Sequence, residues 1–545
     1  MHSSFDIGAI LVVVLLVLCS ACAGGNSSAP TAAAGPPSSP TAIASPVSVP
    51  PPTLPAPMHT PTSIPTRRPS PSPTDTLPAQ PTPAPTSAVT AVQPPTPSPT
   101  SAPPPAVRVY RTMVTIATYP YQDFLRQEFS TQYRMPVWRL DWDAYESSAP
   151  RPAPRQYERI VMENAYLRVS IIPELGGRIY ECSLKAAGRN LLYQNAVLKP
   201  TRWGPPEQGW WLAAGGIEFC LPVEEHGYES ATPWQAEIVT TGREGRVRLT
   251  DSTEQERLRA QVDVILPAGE ARFLLQITLH NGTASTLPLQ FWSNAMMSAG
   301  DSPDTAPSLR FFLPARQARI HSTSDPRLPA AGESISWPYW QGTDWSFPDT
   351  WQGWLGVFAW PQAEFGFAGV YDVSADIGLV RAFPPQTAHG VKAFGFGGPS
   401  ARLPASLWTD DGSYYVELHG GLTPAFGEPQ PLAPGEQLRW QETWFPVAGL
   451  HGLTAAGPSG AVRAAWNADA KELGLRIWPA APLRGIAVLS VDDREIGRAY
   501  LDNPAGRVIE IAFPWGEEPM AGSLFSLHLL AEDGSEERWQ GYYYP

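Results

Sequence analysis

Between Glu163 and Tyr180 the chain reads Glu-Asn-Ala-Tyr-Leu-Arg-Val-Ser-Ile-Ile-Pro-Glu-Leu-Gly-Gly-Arg-Ile-Tyr. Val169, Ile171 and Ile179 sit in stretches that alternate with period two, the spacing of side chains on one face of a β-strand. Pro173 and the pair Gly176-Gly177 interrupt the alternation, so the segment predicts two strands joined by a tight connection. A second glycine pair follows in Ala214-Gly215-Gly216-Ile217-Glu218-Phe219, and this one carries a carboxylate.

Short runs of this kind recur along the chain. They include Val109–Ile116, Arg159–Ile172, Leu258–Leu266, Ala271–Asn281, Leu287–Asn294, Leu355–Ala359, Ile377–Ala382, Tyr414–Leu418 and Gln437–Val447. Turns rich in Gly, Pro, Asn and Asp separate them, and no long segment of period 3.6 stands out, which predicts an all-β chain built as a large sandwich. The small-residue stretch Ala455-Ala456-Gly457-Pro458-Ser459-Gly460 marks a boundary. Five or more short runs after it predict a small immunoglobulin- or fibronectin-like β-sandwich over residues 460–545.

The ends differ in kind from this region. Ile7 to Leu18 is almost wholly apolar, apart from Gly8 and Ala9, and is short for a membrane-spanning helix. The Ser20-Ala21-Cys22 that follows resembles a bacterial lipoprotein signal. Residues 1–22 are therefore expected to be a signal peptide, with Cys22 as the lipid acceptor and an ordinary cleaved signal as the alternative. Either way the mature protein is expected outside the cytoplasm, membrane-anchored by lipid in the first case. Residues 23–107 form a Pro/Ser/Thr-rich linker, with 26 prolines in the 76 residues from Pro30 to Pro105. Such a stretch has too little apolar surface to offset the entropy of ordering. It is expected to behave as an extended stalk with a reach on the order of 200 Å.

A net charge of −13, 16% charged residues and no basic block argue against nucleic acid as a partner. Cys182 and Cys220 remain after the signal and are either a disulfide or two buried thiols. No metal-ligand spacing occurs, so no metal and no cofactor is expected. Tryptophan is abundant, at 20 residues, and nine aromatics fall between Trp337 and Trp360. That segment reads as a loop plus two strands, whose rings either pack between sheets or line a sugar-binding groove.

The run Glu163–Tyr180 resembles the opening strands of the DUF5107 domain, part of the galactose-mutarotase-like supersandwich group. Further blocks follow in the same order: Gly215–Phe219 with Pro222 and His226, Phe291–Ala295, Gly369–Asp372, Lys392–Gly397, Asp411–Leu418 and Glu442–Pro446. The chain departs from the family pattern at Cys220-Leu221 and at Phe394 and Phe396. The resemblance spans about residues 108–450 and implies a supersandwich over 108–455, with a wide sheet face that binds sugars. Members of the group include epimerases, hydrolases, lyases and non-catalytic domains, so the fold alone does not decide the function.

The candidate catalytic residues are Glu218, Glu417 and His226, because anomeric chemistry needs acid and base groups. Asn294, His389, Lys392, Glu442 and Trp292 are candidates for substrate binding. By period two, Glu218 and Glu417 point to the face opposite their apolar neighbours. The leading expectation is a surface-anchored carbohydrate-binding lipoprotein, its partners a glycan and the membrane. The alternatives are a carbohydrate-active enzyme, aldose epimerase-like or a glycoside hydrolase, using Glu218 and Glu417 with a His, and a non-catalytic cell-surface scaffold.

Overall fold

The computed structural model describes residues 106–298 and 305–545. Cys22, the signal segment and the linker up to residue 105 lie outside the described residues. Val107 bridges Gly242 and is buried.

The chain is all-β, as its periodicity predicts. A 14-stranded sheet and an 8-stranded sheet share one apolar core. Strand Phe273–Asn281 shows why these segments are strands. Phe273, Leu275, Ile277, Leu279 and Asn281 are buried, while Leu274, Gln276, Thr278 and His280 are half-buried. It pairs in register with Leu258–Pro267 on one side and Gln437–Ala448 on the other. From the large sheet, Ile171, Ile179, Ile217, Phe219 and Ala295 enter the same core.

The Pro173–Leu175 turn ends at Gly176, whose φ of +71° is left-handed. A Cβ there would lie 2.6 Å from the Ser230 carbonyl oxygen, so the position requires glycine for both reasons.

One local expectation is revised. Leu287–Asn294 is not one strand. Leu287–Leu289 pairs with Gln430–Leu432 in a small ladder, and Trp292–Met297 joins the large sheet. Gln290 makes the break: its backbone N–H donates to the Pro222 carbonyl, and its side-chain oxygen accepts from Trp292 Nε1 and Thr423 Oγ1, each at 2.9 Å. The stretch Ala455–Gly460 carries paired strands of its own. Ala455–Gly457 and the strand starting at Gly460 form a hairpin.

That hairpin belongs to a third sheet of eight antiparallel strands within residues 455–542. Leu475, Ile477, Leu489, Phe525, Leu527 and Trp539 give it a core of its own. Cys182 and Cys220 are free thiols, buried in separate apolar clusters. Among the described residues no helix is long and apolar enough to cross a membrane.

Candidate functional site

On the large sheet, Ile217, Phe219 and Ala295 face the second sheet, so Glu218 and Asn294 point away from it. The register then aligns one residue from each of four adjacent strands: Glu218 beside Asn294, Asn294 beside His419, and His419 beside Lys392. Ile217 pairs with Ile179, which puts Arg178 next to Glu218 at the head of the row. The outcome is a line of five polar side chains across an outer sheet face, all of them buried.

Arg178 Nη2 donates to Glu218 Oε2 at 2.8 Å, and Trp211 Nε1 donates to the same oxygen at 3.0 Å. His226 Nδ1 lies 2.7 Å from Glu218 Oε1 and Asn294 Nδ2 donates to it at 3.3 Å. Burial alone pushes the Glu218 carboxyl up, but Arg178 and His226 outweigh it and hold it at about 2. Burial likewise opposes the charge on His226, and Glu218 reverses that, raising the imidazole above its ordinary value. The His226 ring stacks on Trp211 with centroids 4.2 Å apart.

At the centre of the row, His419 Nε2 lies 2.9 Å from Glu417 Oε2. Burial first, and then Lys392, push His419 down to about 4, so its ring is neutral. The neutral ring therefore donates from Nε2 to Glu417 and leaves Nδ1 as an acceptor. Neither His419 Nδ1 nor Asn294 Oδ1 has a hydrogen-bond partner. At the far end Lys392 Nζ donates to Glu225 at 2.6 Å and lies 4.6 Å above the Phe426 ring. Here the cluster meets solvent, for the Glu225 side chain is 42% exposed and His321, 3.7 Å from it, 20%.

Of the candidates read from the sequence, Glu218, Glu417, His226, Asn294 and Lys392 come together. Trp292 lies on the same face, but it is wholly buried and packs over Gly421 and Gly390 rather than offering a ring to solvent. Gly421→Ala would place a Cβ 2.3 Å from that indole. The variant is expected to cost about 1–3 kcal/mol in a denaturant titration. Gly474→Ala, whose Cβ meets only the Ala465 carbonyl oxygen at 3.6 Å, serves as the near-neutral control.

Two candidates fall elsewhere. Glu442 belongs to the second sheet and points into the space between the sheets, where Arg381 binds it at 2.6 and 2.9 Å and Trp440 and Trp444 donate to it. It forms a buried ion pair between adjacent strands of the second sheet, apart from the polar row. His389 precedes strand Gly390–Gly395, and its backbone carbonyl accepts from the Ala363 N–H at 3.0 Å. Of the nine aromatics of 337–360, Phe358 lies on the outer face, paired in register with Lys392 and packed against Trp292 and Phe426. Trp337, Trp345 and Trp351 are buried in the large apolar core instead. The turns carrying Glu225, His226 and Phe426 pack over the polar row.

Sequence reasoning missed Arg178, Trp211, Glu225 and His419. For His419 a signal was present, since it stands two residues after Glu417 in one strand and must share its face.

A family description, Domain of unknown function (DUF5107), matches residues 137–447, more than half of the chain. The chain belongs to the DUF5107 family. The polar row and the turns that pack over it all lie within the DUF5107 match. Among solved structures, a TPR-domain-containing protein from Parabacteroides distasonis is similar at 23% identity and a TM-score of 0.52, covering 63% of this chain and 55% of that one. The DUF5107 chain thus spans about half the length of that protein, and the likeness is one of fold. A galactose mutarotase-like protein from Clostridium acetobutylicum is 12% identical, with coverage of 54% and 96% and a TM-score of 0.38. Another galactose mutarotase-like protein, from Lactobacillus casei, is 11% identical, with coverage of 53% and 99% and a TM-score of 0.34. Among the described residues no group of three or more His, Cys, Asp or Glu is arranged to hold a metal ion.

Proposed function

We propose that this chain is a carbohydrate-recognition protein held on the outside of the cell through a lipid on Cys22, with its glycan site on the outer face of the large sheet. One observation carries the reading. Asn294 Oδ1 and His419 Nδ1 are register neighbours, both buried, and both acceptors without a donor. An unmade buried hydrogen bond costs about 1–3 kcal/mol. Two adjacent acceptors match two hydroxyl donors on neighbouring carbons of a sugar ring. Arg178 and Lys392 are already neutralised by Glu218 and Glu225, so the row favours a neutral hydroxyl-rich ligand over an ion. A ligand would enter from the end of the row where Glu225 and His321 are partly exposed.

The test is a glycan array followed by titration of the full-length chain. Asn294→Ala is expected to weaken selective binding about tenfold, the value of one or two hydrogen bonds. Absence of binding by both proteins would sink the proposal and leave the scaffold reading.

A catalytic use of the same face is favoured by one feature. Glu218 raises the His226 imidazole above its ordinary value, and the Glu225 and Glu417 carboxylates raise it further. An acid and a base are what epimerisation at an anomeric carbon requires. In that scheme Glu218 positions His226 and is not itself the free acid or base, since Arg178 seals it. Anomer interconversion followed by polarimetry, in the wild type and in His226→Gln, decides the matter: a rate no faster than buffer ends the enzyme reading.

A further inference from the structure

Where the two-sheet body meets the C-terminal sheet, the protein has a partly open cavity of about 40 Å³. Its wall contains two guanidinium groups, Arg310 from the body and Arg463 from the C-terminal sheet, among aromatic rings that include Phe312, Trp337 and Tyr544. The two arginines are not equivalent. Arg310 has a counter-ion, for it donates to Asp344 at 3.3 Å and to the Ser346 hydroxyl at 2.8 Å. Arg463 Nη1 donates to the Tyr544 carbonyl at 2.8 Å and to the Thr454 hydroxyl at 3.4 Å, both neutral.

The charged and titratable groups that act on Arg463 are Arg310, Tyr543 and Tyr339, and none is a carboxylate. Burial and the neighbouring Arg310 both disfavour its charge. A partly buried guanidinium near a second one, with no carboxylate partner of its own among the described residues, is an arrangement that an anion relieves. A single water needs about 10–15 Å³ of such space, so the cavity has room for about three waters or one small oxyanion.

We propose that this cavity binds a small oxyanion, a carboxylate, sulfate or phosphate group, held by Arg463 with Arg310 beside it. The guanidinium fork matches two oxygens of such a group at once. The group comes either as a free ion or as the acidic end of a glycan, and in both cases it ties the C-terminal sheet to the two-sheet body. This site is independent of the outer-face row and stands or falls separately from it.

The experiment is calorimetric titration of the full-length chain with sodium sulfate and, separately, with sodium D-glucuronate, at ionic strength held constant with chloride. The wild type is expected to bind at least one of them with a dissociation constant in the millimolar range or tighter. Arg463→Gln is expected to weaken that binding at least tenfold. Arg463→Lys keeps a charge but loses the fork, and is expected to bind at least threefold more weakly, so the test survives if the glutamine variant does not fold. Sulfate stabilises proteins generally by exclusion from their surfaces, so only a difference between wild type and variant counts. Binding of sulfate alone marks the free ion as the occupant, and binding of glucuronate alone marks a glycan-borne carboxylate. Binding of neither anion, or equal binding by the wild type and Arg463→Lys, overturns the proposal.

Discussion

Replacing Arg178 by Met is expected to destabilise the two-sheet body by about 3–5 kcal/mol. The guanidinium is wholly buried, and its contacts are Glu218 at 2.8 Å, the Gly215 carbonyl at 2.8 Å and the Ser230 carbonyl at 3.0 Å. Its loss leaves a buried carboxylate with only His226, Trp211 and Asn294 to hold it, and removes the donor from two carbonyls. The cost comes mainly from the charge left behind and not from the pair's net attraction. A double variant with Glu218→Met as well is therefore expected to regain at least half of the loss. Guanidinium titration followed by tryptophan fluorescence measures both. A single variant that loses less than about 1 kcal/mol would show that Glu218 does not depend on Arg178.

Acid is expected to act on this face in two windows. The first belongs to His419, whose folded value of about 4 lies below its ordinary 6.5. The unfolded chain takes up the proton first, so the native state is favoured above pH 6.5 and loses about 3 kcal/mol as the pH falls to 4. His321, also pushed down by burial and by Lys392, adds to the same window. The second window belongs to Glu218, which titrates at about 2 against an ordinary 4.5. Its contribution, about 3 kcal/mol, is full above pH 4.5 and disappears as the pH falls through 2. His226 runs the other way: its raised value stabilises the fold below pH 6.5 and is lost as the pH rises through that value. Denaturant titrations from pH 8 to pH 2 separate the three. His419→Gln should flatten the slope between pH 6.5 and 4 and leave the lower window in place, whereas Glu218→Gln should do the reverse. An unchanged upper slope in His419→Gln would refute the assignment.

Much of the site was legible one strand at a time. Alternation through Ile217-Glu218-Phe219 and Val416-Glu417-Leu418 is enough to turn both carboxylates away from the apolar core. The same rule fails for Glu442. It too stands on an alternating strand, but in the second sheet the buried side of that strand contains Trp440, Glu442 and Trp444 together. Alternation says that a residue shares a face with its second neighbour. It does not say whether that face meets solvent, a loop or another sheet. Gln290 shows the same limit, since a run that alternates correctly is divided because one side chain and one backbone N–H find partners in other segments.

The sequence by itself determined the all-β class, the positions of most strands and the family, because these depend on local spacing and on blocks of residues read in order. Tertiary structure decided which residues form the site. Glu218 is joined to Arg178, 40 residues earlier in the chain, by a strand register, and His419 to Asn294 by another. The packing of the turns at Glu225, His226 and Phe426 over the polar row was likewise decided there. The physical reason is that a β-sheet brings distant segments side by side through backbone hydrogen bonds, which any sequence can make. The register, and with it the charge next to each carboxylate, is chosen by the packing of the whole.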